Sequence, residues 1–470
     1  MKLQYEELKL GEKAKEAFLA GRSSDYIKKE CPAYLNTNPV FAGLNVTDLV
    51  IAGILSGMNI LLVGNTGCGK SQLARDIHNY YFNGNKFEGG ESLTIEGHPE
   101  LDIYRDVLTY VDLKEGKRVL NNAHQSLFWN IEEFNRCPPI SQNQWFAVGN
   151  GRLIHQGQSV NIGRNGYVTS IATANYGNGE FRGTFEVDKA LENRFGLILD
   201  LDHSQFQPTK EDRIIMDMLR SAYSGIHEAP KHNLSDKIMH ANEKISEMTL
   251  DIGLEALAVL NYLKFGLENC PGKDENEMPH SKGKSWPITC QDCPRNSNND
   301  FLCSLINAPV QRTLQSTVRY ASALFYLAKL KNEDLEVNAV DLMFKSFELV
   351  STYQNVLNPA ILKSEYLDQP QEMMKKVCER LKTDFKTNEN FIMTSLDEAS
   401  KGNKCIDYFE FTDEKGEKMF SLGYSKLDGK IRNRVTPLNP FTNAGPIGLE
   451  WVLNFIDTEI KIGNLRKNAK

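Results

Sequence analysis

A glycine-rich run near the start of the chain contains the residue types that bind phosphate. It fits the pattern G-x-x-x-x-G-K-[ST], and Gln72 follows it; its members are Gly64, Asn65, Thr66, Gly67, Cys68, Gly69, Lys70 and Ser71. Glycines let the backbone turn so that its N–H groups point at phosphate oxygens. The lysine of such a loop reaches the β- and γ-phosphates, and the hydroxyl beside it binds Mg²⁺. The run therefore predicts a site for ATP and Mg²⁺.

The elements around this run predict how it is held. The apolar run Ile60-Leu61-Leu62-Val63 predicts a strand that enters it, and helical spacing predicts a helix from Lys70 to Tyr81. Thr47 is predicted to cap the helix before the strand. Four further apolar segments predict strands: Leu93–Ile95, Leu127–Ile131, Tyr167–Ala172 and Gly196–Leu201. With helices between them, they predict an α/β fold, a doubly wound parallel five-stranded P-loop core.

Two adjacent glutamates follow the predicted strand Leu127–Ile131. Hydrolysis of a triphosphate needs Mg²⁺ near the phosphates and a group that orients or deprotonates the attacking water. Glu132 is expected to act on Mg²⁺ through a coordinated water, and Glu133 is expected to act on the nucleophile. The alternative interpretation, a pair of surface glutamates at a strand end, stays open on the residues alone.

Several short motifs resemble those of MoxR-type AAA+ ATPases. The run Ile131-Glu132-Glu133-Phe134-Asn135-Arg136-Cys137-Pro138-Pro139 resembles the family's D-E-I-N-R-A-P-P signature, and the resemblance covers about residues 41–350. Ala172–Asn175 is similar to the sensor 1 strand end, which implies that Asn175 lies beside the γ-phosphate. Ala190–Phe195 resembles the stretch whose arginine, Arg194 here, reaches the neighbouring subunit's nucleotide. Ala308–Arg312 resembles the helix start that carries the sensor 2 arginine, which makes Arg312 a nucleotide-binding candidate.

The resemblance has consequences for assembly and for activity. It implies a homo-oligomeric ring, expected to be hexameric, which uses ATP hydrolysis to remodel a protein client; a protein with a von Willebrand A domain is one candidate partner. Insertions typical of the family would fall at Thr94–Arg118 and Gly151–Ile162, and the second of these predicts a hairpin. The chain departs from the family where Glu132 and Asn193 replace aspartates, and polar Asn130 interrupts a strand that should be buried.

Composition shifts divide the chain into four predicted regions. Residues 1–40 predict a helical arm, 41–206 the P-loop core, 207–357 a helical lid domain and 358–470 a small α+β domain. The N-terminus lacks an apolar segment of signal-peptide length, and no apolar run approaches membrane-spanning length, so we expect a cytoplasmic protein without membrane contact.

The predicted lid domain contains a polar, cysteine-rich insertion at 270–303. Cys290-Gln291-Asp292-Cys293 has the spacing that lets both sulfurs face one ion, and Cys270 and Cys303 complete a set of four thiolates. Zinc is the expected metal. The prolines after Cys270 and Cys293 are also typical of iron–sulfur stretches, so a [4Fe–4S] cluster stays open, as does replacement of one cysteine by His280.

Net charge and motif departures leave two rival functions open. The 470-residue chain carries a net charge of −7, and nucleic-acid binding needs a local surplus of lysine and arginine. A nucleic-acid motor of the restriction type, using GTP or ATP, is therefore the less favoured enzyme hypothesis. A nucleotide-gated scaffold with weak hydrolysis is the non-enzymatic one, because Glu132 and Asn193 depart from the family's residues.

Overall fold

The computed structural model describes residues 34–82, 92–175, 184–221, 233–250, 252–267, 302–400, 408–412, 418–427 and 430–435. They divide into two compact units, one drawn from within 1–251 and 319–337 and the other from within 252–318 and 338–470. The four regions predicted from composition divide the chain differently and stay predictions.

The first unit is organised around a parallel sheet of five strands. They are β3 (Asn59–Gly64), β4 (Ser92–Glu96), β7 (Phe128–Glu132), β10 (Thr169–Asn175) and β11 (Leu197–Asp200). Their spatial order is β11-β3-β10-β7-β4. The predicted five-stranded parallel core is confirmed. Every residue of β3 is buried, which explains why this strand has an unbroken apolar run rather than alternation.

Smaller strands complete the first unit. β1 (Pro39–Phe41) pairs with β2 (Leu44–Asn45), β5 (Thr109–Asp112) with β6 (Lys117–Leu120), and β8 (Arg152–His155) with β9 (Gln158–Asn161), all antiparallel. The last pair is the predicted hairpin. The β5–β6 pair lies largely inside the other predicted insertion, after a π-helical turn at Ile103–Leu108.

Helices of the first unit flank the sheet. They are α1 (Val46–Leu55), α2 (Lys70–Tyr81), α3 (Pro139–Gly149), α4 (Lys189–Glu192), α5 (Lys210–Ser221) and α6 (Ser235–Leu250). The N-cap of α1 is Asn45 and not the predicted Thr47. Asn45 has the extended backbone that a cap requires, its side chain accepts from the Asp48 N–H at 3.0 Å, and the Asp48 carboxylate accepts from the Asn45 N–H at 2.8 Å.

The second unit is mainly helical in its described residues. Its helices are α7 (Gly253–Asn261), α8 (Leu302–Leu305), the first part of α9 (Gln311–Lys331), α10 (Ala339–Ser351), α11 (Pro359–Glu365) and α12 (Pro370–Ser400). Tyr262, Phe344 and Phe385 pack edge-on against one another at its core. An antiparallel sheet follows, formed by β12 (Tyr408–Thr412), β13 (Lys418–Leu427) and β14 (Lys430–Val435). No helix among the described residues is long and apolar enough to cross a membrane.

Candidate nucleotide-binding site

The phosphate loop connects β3 directly to α2. Gly64, Gly67 and Gly69 have φ values of 144°, 86° and 95°, a backbone region that side chains strongly disfavour. Gly69 is also constrained by packing, because a Cβ there would lie 2.8 Å from the Tyr34 ring. Gly69 is the N-cap of α2 and provides no side-chain cap. The positive end of α2 therefore lies at the loop, where an anion is favoured.

Lys70 is folded into this loop. Its Nζ donates to the carbonyl oxygens of Gly64 and Asn65 at 2.8 and 2.7 Å, and it lies 3.5 Å from the Cys68 Sγ. The lysine is 6% exposed. Burial raises the pKa of the Cys68 thiol, although the Lys70 ammonium acts in the opposite direction. A phosphate that takes these Lys70 hydrogen bonds would replace neutral carbonyls with charged acceptors, which bind an ammonium more strongly.

Asp202 also contacts the loop, although no local pattern of residues indicates this. Its Oδ2 accepts from the Asn65 N–H at 2.5 Å, and it follows the edge strand β11. The nearby Asp200 has a raised pKa, chiefly because of burial. The pairing of β11 with β3 brings Asp202 and Asn65 together, and no short motif encodes that pairing.

Glu132 is the last residue of β7 and forms a two-point ion pair with Arg75 of α2. Arg75 Nε lies 2.5 Å from Glu132 Oε1, and Nη2 lies 2.7 Å from Oε2. Asn130 Nδ2 donates to the same Oε1 at 3.3 Å. Arg75 belongs to none of the motifs above; its position one helical turn after Ser71 is the signal in the sequence that points to it.

Glu133 adopts a left-handed backbone directly after β7. Its φ is 51°, rare for a residue with a side chain. The Glu133 N–H donates to Thr173 Oγ1 at 3.1 Å, and its carboxylate forms an ion pair with Arg136 at 2.6 Å. Gly97 permits this geometry, because a Cβ on Gly97 would lie 2.3 Å from the Glu133 carbonyl oxygen.

Asn175 ends β10, the strand between β3 and β7. It lies in register with Gly64, and its carbonyl accepts from Asn135 Nδ2 at 2.9 Å. The structure therefore brings the phosphate loop, the two glutamates and Asn175 to the carboxyl edge of one parallel sheet. This is the edge at which doubly wound folds bind ligands.

Arg194 lies near the other edge of the same sheet. Its Cβ is 3.5 Å from the position of a Cβ on Gly149, whose carbonyl accepts from Asn59 Nδ2. Asn59 begins β3 and Gly64 ends it, so the strand rise places them about 16 Å apart. Arg194 Nη1 donates to the Ala190 carbonyl at 2.6 Å. The structure therefore does not bring Arg194 to the phosphate loop of its own chain.

The segment before the predicted core packs against the site. The Tyr34 N–H donates to Asp76 Oδ2 of α2 at 2.9 Å, and burial raises the pKa of the Tyr34 hydroxyl. Asn36 Nδ2 donates to the Phe206 carbonyl at 2.7 Å, and Thr37 bonds the Asp212 carboxylate. Packed structure thus begins no later than Tyr34, earlier than the boundary predicted at Phe41.

Other predicted site residues fall outside this geometry. Arg312 is exposed and belongs to the second compact unit, so its predicted role in nucleotide binding stays a prediction. Cys270, Cys290 and Cys293 lie outside the described residues, and Cys303 belongs to α8, where its side chain is not described. No metal-binding group of three or more His, Cys, Asp or Glu occurs within the described part of the chain.

Comparison with known proteins gives likeness among solved structures only. No protein-family model matches the chain. No curated protein matches it either. Among solved structures, it is similar to a protein of Cytophaga hutchinsonii that carries a provisional assignment as an ATPase. The two are 15% identical, the match covers 70% of this chain and 87% of the other, and the TM-score is 0.46. A match this distant carries no functional argument, and the P-loop fold rests on the strand order and loop geometry above.

Proposed function

We propose that the protein is an ATP-hydrolysing AAA+ ring motor of the MoxR type that remodels or activates a protein client. The observation that carries ATP hydrolysis is the arrangement at one sheet edge. Lys70 and the positive end of α2 can bind the phosphates, while Asn175 ends β10, the strand next to β3, and Glu133 follows β7, the strand beyond β10. These are the parts that phosphoryl transfer to water requires.

The residues present fit a Mg²⁺ ion. Ser71 and Glu132 offer oxygen ligands, which this hard cation prefers, and the buried Asn130 Oδ1 beside Glu132 has no hydrogen-bond partner. When bound, Mg²⁺ would neutralise charge that develops on the phosphates. Glu133 would accept a proton from the attacking water, and Asn175 would orient that water.

The ring and the client are proposed from the resemblance, with two supporting features. Arg194 packs near the Asn59 end of β3, about 16 Å of strand rise from the end that enters its own phosphate loop, so a neighbouring subunit's nucleotide is the one it could serve. The two inserted hairpins expose large apolar side chains, including Tyr110, Leu113 and Ile154 at 53%, 95% and 67% exposure. Exposed apolar groups of this kind are typical of protein-binding surfaces. A von Willebrand A domain protein remains a candidate partner.

One observation favours the rival scaffold function. Both active-site carboxylates are neutralised by arginines, Glu132 by Arg75 and Glu133 by Arg136. If these pairs persist with nucleotide bound, the chain would bind ATP and hydrolyse it weakly. Turnover measured at saturating ATP and Mg²⁺ separates the two functions, since a scaffold would show no steady-state phosphate release above background.

Replacing Lys70 by alanine tests nucleotide binding. We expect Lys70→Ala to weaken ATP affinity at least about a hundredfold, because several charge-assisted contacts to the phosphates are lost. The measurement is equilibrium titration with a fluorescent ATP analogue. Lys114→Ala, an exposed lysine in the β5–β6 turn, is the matched control and should bind as the wild type does. Equal affinity of Lys70→Ala and wild type would refute the site.

Elemental analysis tests whether the cysteine-rich insertion at 270–303 binds a metal. We expect anaerobically purified protein to contain about one zinc per chain, or about four irons with matching sulfide, because the polar 270–303 stretch has few apolar residues to fold by burial alone. Cys290→Ser should release the metal, while the buried Cys378 offers a control outside the insertion. Protein without bound zinc or iron would contradict the prediction.

A further inference from the structure

The Arg75–Glu132 ion pair connects the helix after the phosphate loop to the strand that carries the predicted magnesium residue. Its geometry is a guanidinium fork on a carboxylate, with contacts of 2.5 and 2.7 Å. Such paired contacts are among the strongest hydrogen bonds between side chains. Both oxygens that Glu132 could offer to Mg²⁺ or to its coordinated water are therefore engaged by Arg75.

The surroundings of the ion pair indicate that a further hydrogen-bond donor can bind beside Glu132. Asn130, two residues before Glu132 on β7, is 0% exposed and donates to Glu132 Oε1. Its own Oδ1 is buried without a hydrogen-bond partner. A buried acceptor left unmatched is unusual and destabilising. A metal-bound water beside Glu132 would supply the missing donor.

The two members of the pair differ in freedom to move. The Glu132 side chain is 10% exposed and ends a buried strand, whereas the Arg75 side chain is 40% exposed. An arginine can extend into water and keep its charge solvated. A divalent cation and a guanidinium on one carboxylate repel each other at short range. When Mg²⁺ arrives, Arg75 is the partner that can leave.

We propose that Arg75 competes with Mg²⁺ for Glu132 and thereby makes the site selective for Mg²⁺ that arrives together with a nucleoside triphosphate. Free Mg²⁺ has only the protein's oxygen atoms as ligands when it displaces Arg75 from Glu132. Mg²⁺ on a triphosphate brings phosphate ligands, and the phosphates at the same time attract Lys70 and the α2 N–H groups. Arg75 is a positioning residue in this scheme, and the proposal rests on the proposed nucleotide site.

Replacing Arg75 by glutamine, which removes the charge, tests this competition. In the test, Mg²⁺ is titrated into protein mixed with a fluorescent ATP analogue. The midpoint is the Mg²⁺ concentration at which binding of the analogue is half-maximal. The affinity for the ATP analogue is also measured in EDTA, without Mg²⁺. Comparing the two values separates an effect on Mg²⁺ binding from a general effect on nucleotide binding. We expect the midpoint to fall about tenfold in Arg75→Gln, the scale of a charge-assisted contact. Arg105→Gln, which removes the exposed Arg105–Asp106 pair, is the matched control and should leave the midpoint unchanged.

Further variants keep the result decisive. Arg75→Lys retains the charge but loses the planar fork, so its midpoint should lie between those of wild type and Arg75→Gln; it also serves if the glutamine variant fails to fold. Glu132→Asp shortens the acceptor arm, and in that background Arg75→Gln should change the midpoint little.

The outcomes separate this inference from the proposed function. An unchanged or higher Mg²⁺ midpoint in Arg75→Gln, or in Arg75→Lys if only that variant folds, overturns the competition and would mean that Arg75 only supports Glu132. Absence of ATP binding by the wild-type protein, with or without Mg²⁺, would instead refute the nucleotide site itself.

Discussion

Glu133→Gln should bind ATP within about twofold of the wild-type affinity and hydrolyse it about a thousandfold more slowly, within the range for loss of a general base. The carboxylate is needed only when water attacks, whereas binding depends on Lys70 and the loop N–H groups. The left-handed backbone of Glu133 and its hydrogen bond to Thr173 hold the side chain at the sheet edge, and glutamine preserves both length and backbone contacts. The loss should therefore appear in kcat and not in Kd.

Single-turnover phosphate release measures the rate of hydrolysis, and equilibrium binding measures Kd. Glu115→Gln, in the exposed turn between β5 and β6, is the matched control for loss of one carboxylate and should hydrolyse ATP as the wild type does. Wild-type turnover in Glu133→Gln would assign the base to another residue.

Arg194→Ala should lower ATP hydrolysis by about three to five orders of magnitude while each subunit still binds nucleotide. An arginine placed on the phosphates stabilises transition-state charge. In the proposed ring Arg194 would serve a neighbouring subunit, because it packs near the end of β3 opposite to its own phosphate loop. In the described structure its guanidinium donates to Ala190, a neutral acceptor that a phosphate can replace.

Mixed assemblies decide whether Arg194 acts in trans. Arg194→Ala and Glu133→Gln proteins are each expected to be inactive, but rings that contain both should recover part of the activity. Some interfaces then pair an intact base in one subunit with an intact arginine from the next. Arg213→Ala, which removes an exposed arginine on α5, is the control and should retain activity alone. Mixed rings of verified composition that stay inactive would argue against the trans assignment.

The sequence predicts those parts of the site that depend on local pattern. The phosphate loop needs glycines at fixed spacing, and each core strand contains or adjoins a short, largely apolar segment, so both are visible in the residues. The position of Asn175 follows from the strand that it ends. These features depend on few neighbours along the chain.

Features that depend on distant contacts were less visible. Arg75 and Glu132 are 57 positions apart, and Asn65 and Asp202 are 137 apart, so no local periodicity connects either pair. The sequence predicts Thr47 as the cap of α1 because threonine is a common cap, but the reciprocal bonds between Asn45 and Asp48 decide the helix start. Competition among several capping residues is settled by backbone geometry.

The contact between Tyr34 and the phosphate loop bears on where the chain can be shortened. Trimming to Phe41, the first residue of the predicted core, would remove the ring that packs against Gly69 and the N–H that satisfies Asp76. Asp76 is 4% exposed, so its carboxylate would lose a donor in a poorly hydrated position. A fragment that begins at Phe41 would therefore expose the back of the phosphate loop to water, and crystallisation or binding work on an isolated core should retain Tyr34 and the residues after it.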